Sequence, residues 1–138
     1  MNCYAVIDTN VLVSALLSGN EDAATVQVVA RMLAGEITTV YSGTIMTEYR
    51  DVLSRPKFGF SPDVVGYLLS ALEKYGMLVE AEPSGAVIPD MTDLPFYEVV
   101  LEKRNDGAYL VTGNIRHFPR QPFIVTPRQL MELLDARK

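Results

Sequence analysis

Five short, β-prone apolar runs alternate along this chain with longer stretches of helical periodicity, and no other feature narrows the fold as much. The runs are residues 3–7, 37–41, 77–79, 108–112 and 123–125. Residues 11–17 and about 22–33 read as helices, the second stopped by Gly35. Ser42 is a candidate cap for a helix that carries Ile45, Tyr49, Val52 and Leu53 on one stripe and ends near Pro56. Ser61-Pro62-Asp63 opens another, with Val64, Val65, Leu68, Leu69 and Leu72, and Gly76 closes it. A polar segment over 80–92 reads as a loop, a helix is expected over 93–104, and Thr126-Pro127 starts a terminal helix. Strands joined through helices run parallel, and right-handed crossovers lay the helices over both faces. The expected fold is therefore a three-layer α/β/α domain with a central parallel sheet. With 138 residues and no internal repeat or linker, it is expected to be one domain over 1–138.

Several function classes drop out on composition. Cys3 is the only cysteine, so no internal disulfide can form, and its apolar surroundings suit a buried thiol in a reducing cytoplasm. Asp8, Ser14 and Ser18 interrupt the apolar N-terminal third, leaving no run near the roughly 18 residues of a membrane span. No basic start or small-residue cleavage site marks an export signal. A net charge of -5 argues against indiscriminate binding to phosphate chains. It does not argue against a nuclease, because a site that gathers carboxylates for a metal is itself acidic.

In parallel α/β sheets ligands collect outside the carboxyl ends of the strands, which makes polar residues there the ones to weigh. Asp8 directly follows the first apolar run, where it can serve equally as a helix cap. Glu48 stands three residues after Ile45 and four before Val52, at the border of the apolar stripe. A carboxylate there needs a partner or a metal, unless it is only partly covered. Asp93 precedes Leu94-Pro95-Phe96 at a helix start and is expected to cap it. Asn114 follows the fourth apolar run as Asp8 follows the first, although Gly113-Asn114 also reads as a turn. Asp90 could add a carboxylate from the loop, although it reads first as a solvated loop residue.

These positions carry a resemblance. Val6-Ile7-Asp8-Thr9-Asn10-Val11-Leu12 resembles the opening motif of PIN-domain nucleases. Asp93-Leu94-Pro95-Phe96 and Leu110-Val111-Thr112-Gly113-Asn114 resemble their later pair, and Glu48 lies where the family carries a further acid. The likeness spans essentially the whole chain and includes the VapC-type toxins, which cut RNA and are silenced by an antitoxin protein. It implies a ribonuclease with Mg²⁺ or Mn²⁺ held by Asp8, Glu48 and Asp93, an RNA substrate, a cognate antitoxin and a possible homodimer. Asn114, Thr112, Thr9 and Asn10 would support those ligands. One departure is Asn114, where many members have aspartate, so a second tightly held ion loses a charged ligand.

Arg116, His117 and Arg120 follow at the same expected edge and are candidates for contact with substrate phosphates. Tyr49, Phe58, Phe60, Tyr67 and Tyr97 are read as core, with base stacking as the alternative. Two rivals stand beside the nuclease. A PIN-like module without catalysis would bind RNA or protein, and Asn114 favours it. Phosphoryl transfer on a small molecule has little support, because Asn10 stands where an acid would and no glycine-rich phosphate loop is present.

Overall fold

The computed structural model describes residues 3–137. Its strands are β1 (Cys3–Ile7), β2 (Ile37–Tyr41), β3 (Met77–Leu78), β4 (Tyr109–Val111) and β5 (Ile124–Val125). The helices are α1 (Thr9–Leu17), α2 (Ala24–Leu33), α3 (Gly43–Leu53), α4 (Pro62–Tyr75), α5 (Leu94–Glu102) and α6 (Pro127–Asp135). All strand pairs are parallel, in the order β3-β2-β1-β4-β5. Ala5, Val6 and Ile7 are each 0% exposed. Consecutive strand residues point to opposite faces, so their joint burial shows that helices cover both sides of the central strand. This is the three-layer α/β/α arrangement expected.

Local chemistry sets most helix starts. Ser42 accepts from the Ile45 amide at 3.2 Å, and Ser61 accepts from the Asp63 amide at 3.2 Å ahead of Pro62. Thr126 and Gln129 close a reciprocal capping box on α6. The second helix starts two residues later than its periodicity predicts. The Asn20 side chain takes the Asp22 amide at 2.9 Å, which holds 20–22 in a turn and delays α2 to Ala24. The fifth helix ends at Glu102 rather than near Arg104, where a 3-10 turn over Arg104–Asp106 leads into Gly107 at φ +77°.

The expected aromatic core divides. Tyr49 and Tyr97 are buried, Phe58 and Phe60 are half-buried, and Tyr67 is 69% exposed. No helix among the described residues is long and apolar enough to cross a membrane.

Candidate metal centre

The chain runs from β1 to β2 on one side of the sheet and reaches β4 on the other, so the order reverses between β1 and β4. A crevice opens at such a reversal, outside the carboxyl ends of the strands. Two bonds close its floor. The Asp8 amide donates to the Val111 carbonyl at 2.9 Å, and the Gly113 amide donates to Asn10 Oδ1 at 3.2 Å.

Asp8 caps α1 while its carboxylate is almost wholly buried. Thr112 Oγ1 donates to Asp8 Oδ2 at 2.7 Å, and Asn10 Nδ2 donates to the same oxygen at 3.2 Å. The Thr112 hydroxyl in turn accepts the Asn114 amide at 2.9 Å, which fixes the direction of its own proton. Glu48 reaches the same region from α3, where Thr9 Oγ1 donates to its Oε2. Next to it, the buried Tyr49 hydroxyl donates to the Ile7 carbonyl, tying α3 to the end of β1. That tie sets Glu48 beside Asp8.

Asp93 arrives from a 3-10 turn, Met91–Asp93, immediately before α5. It makes no side-chain cap, contrary to the reading of its sequence position. Its Oδ2 lies 3.1 Å from His117 Nδ1 instead, across 24 residues of chain. Asp90 makes the local cap, taking the Thr92 amide at 3.1 Å and the Thr92 hydroxyl at 2.6 Å. Its other oxygen lies 3.5 Å from His117 Nδ1. Donor atoms of Asp90, Asp93 and His117 all fall within 4.8 Å of one another, a grouping that places Asp90 at the site rather than in open solvent.

The carboxylates influence one another electrostatically. Burial raises Asp8 above its ordinary pKa, the Thr112 hydroxyl works against that, and the charge of Asp93 adds to it. Burial likewise raises Glu48, opposed by Thr9 and reinforced by Asp8. Asp93 is raised by burial, lowered by its bond to His117, and raised again by Asp90 and Glu48. Asp90 goes the other way, because the Thr92 bonds stabilise its ionised form.

Asp8, Asp90, Asp93, Asn114 and His117 line a cleft of about 330 Å³. Thr9 and Asn10 also line it; Thr112 and Glu48 do not, and connect to it through their bonds to Asp8 and Thr9. Arg116 and Arg120 are exposed, and neither lines the cleft. For Asp90 the sequence favoured a solvated loop residue over a contribution from the loop, and its grouping with Asp93 and His117 supports the second. The one available signal was its spacing from Asp93, which puts both carboxyls on one tight turn.

A parallel α/β fold with three carboxylates at its topological reversal defines the class, and comparison with known proteins gives the family. The PIN domain family signature matches residues 4–116, and the chain belongs to that family, whose members are generally nucleases. The crystal structure of PAE2754 from Pyrobaculum aerophilum superposes with a TM-score of 0.59 at 15% identity, covering 98% of this chain and 90% of that one. At that identity the likeness establishes the fold. No curated protein matches the chain significantly.

Proposed function

We propose that residues 1–138 act as one Mg²⁺- or Mn²⁺-dependent endoribonuclease domain, with the ion held by Asp8, Glu48 and Asp93. One observation carries the reading: three carboxylates from three separate elements lie close enough for each to feel another's charge, in surroundings that raise all three above their ordinary pKa. Folding does not gather like charges without a return. Carboxylate oxygens suit a hard divalent cation; those of Asp93 and Asp90 group with His117 within 4.8 Å, and Asp8 and Glu48 lie outside that group.

When bound, such an ion supplies Lewis acidity at a phosphate oxygen and a water of lowered pKa. The chain's own groups set the geometry. Thr112 and Asn10 fix the carboxylate of Asp8, and Thr9 orients Glu48. His117 steadies Asp93 and faces the cleft, where it can meet a phosphate of the RNA strand. Attack by water on phosphorus leaves a 5′-phosphate and a 3′-hydroxyl.

A role as a toxin held silent by an antitoxin in the cytoplasm, with the capacity to form a homodimer, is supported by the resemblance of its motifs to VapC-type toxins. Incubation of purified protein with a mixed RNA pool, in Mn²⁺ or in EDTA, followed by mapping of the cut ends, tests the activity. Cleavage in Mn²⁺ alone, with 5′-phosphate ends, is expected. Equal cleavage in EDTA, or cyclic-phosphate ends, would overturn the mechanism, and metal-independent RNA binding without cleavage would favour a non-catalytic module.

A further inference from the structure

The cleft has a second kind of wall. Beside the carboxylates, Val13, Val52 and Phe58 contribute apolar surface to the same lining. Val52 lies four residues after Glu48 on α3, so the two project from neighbouring turns of one helix face. Phe58 ends the 3-10 turn Pro56–Phe58 that follows the helix. Gly59 then adopts φ +66°, a conformation that side chains resist, and reverses the chain. The reversal brings Phe60 onto the ring of Phe58, with centroids 5.4 Å apart and planes 11° from parallel. Phe60 itself packs against the hydrophobic core, so Phe58 is braced from behind yet stays half-buried at the cleft. Lys57, whose side chain is exposed, holds its Nζ 5.1 Å from the Phe58 centroid.

Braced by Phe60 on one side, the half-buried ring of Phe58 still leaves aromatic surface open to an acidic cleft. Its shape suits a flat π-ligand. In a cleft that works on a phosphodiester chain, the flat groups are bases spaced one per phosphate, and the lysine beside the ring carries the charge that matches the phosphate next to them. Other apolar surface in the lining, from Val13 and Val52, extends the platform without adding donors or acceptors that would read a base edge.

We propose that Phe58 is the stacking platform for the nucleobase adjoining the cut phosphate, with Lys57 moving from the ring to the phosphate that flanks this base. The proposal rests on the ribonuclease reading. It makes Phe58 a positioning residue for the substrate, and it implies tolerance of base identity there, because every base offers a π-face.

The probe is a short single-stranded RNA carrying 2-aminopurine, titrated into protein of the Asp8→Asn background so that the strand stays intact. Stacking quenches its fluorescence. Phe58→Leu keeps apolar bulk without a π-face, and Phe58→Trp keeps the π-face. The quench is expected to survive in Phe58→Trp and to vanish in Phe58→Leu. In otherwise wild-type protein, Phe58→Leu is expected to raise KM for RNA about tenfold and to lower kcat far less. Phe58→Leu with undiminished quench and KM would show that the ring serves packing alone and overturn the proposal. If wild-type protein cuts no RNA but the quench still depends on Phe58, the base site stands and the ribonuclease reading fails. Cleavage by wild type without any Phe58-dependent quench would leave the ribonuclease reading standing and overturn the base site.

Discussion

Asp8 carries three duties on one carboxyl group. It caps α1, accepts the Thr112 hydroxyl, and faces the charge of Asp93. The first two favour the folded state, whereas the third opposes it whenever the group is ionised. Burial is the largest cause of its raised pKa, as it is for Glu48 and Asp93, so folding makes all three hold protons more firmly. The sign of the pH effect follows. Stability from such groups is fully present below the unfolded carboxyl values near 4 and is lost as pH rises through the raised folded values. Asp8→Asn removes one repelling charge and leaves an oxygen to accept from Thr112. In EDTA, the variant is expected to melt at or above the wild-type temperature at neutral pH, and the wild type is expected to regain ground as the solution is acidified towards about pH 4, with no further gain below it. Melting curves across that range check it. A variant that melts lower by a constant amount at every pH would reduce Asp8 to a cap.

At the scale of elements, the site depends on how α3 is docked against β1. Tyr49 is 0% exposed, and its hydroxyl gives the Ile7 carbonyl a donor one residue before Asp8. Tyr49→Phe keeps the ring and its contact with Phe96 but takes that donor away. A loss of about 1–3 kcal/mol in urea unfolding is expected, because a buried acceptor loses its partner. Mn²⁺ affinity should fall with it, since Glu48 adjoins the released bond. Unchanged stability and affinity would mean that other packing sets the position of α3.

The α5 junction shows where local pattern stops informing. Asp93-Leu94-Pro95 reads as a capped helix start, and the helix does begin at Leu94. Yet the carboxyl turns to His117, a residue remote in sequence, and leaves capping to Asp90 one 3-10 turn earlier. Spacing cannot anticipate a bond made by tertiary folding. The same reason conceals the grouping of Asp90 with Asp93, and the stacking of Phe60 on Phe58 across a left-handed glycine.

For the whole molecule, the parallel sheet and its three layers were legible because apolar runs report burial on both faces directly. Ala5, Val6 and Ile7 are adjacent and all buried, as a central parallel strand requires. The reversal between β1 and β4 then brings Asp8 and Thr112 together, two residues 104 positions apart. Residues that end apolar strands were therefore the readable part of the site. Glu48 was half readable, from its border position on a helix stripe. The direction of each side chain, and the retreat of Arg116 and Arg120 from the cleft, belong to turns whose course only the folded chain defines.

Calorimetric titration of Mn²⁺ decides whether Asp8 and Asp93 hold a divalent cation. Wild-type protein, Asp8→Asn and Asp93→Asn would be compared under one buffer, with RNA cleavage followed in the same samples. Saturable heat is expected from the wild type, at least about tenfold weaker binding from each variant, and a parallel collapse of cleavage. Mn²⁺ should also raise the melting temperature of the wild type more than that of either variant, because binding to the native state alone stabilises it by mass action. Equal Mn²⁺ affinity in all three proteins, or no saturable heat in the wild type, would contradict the account.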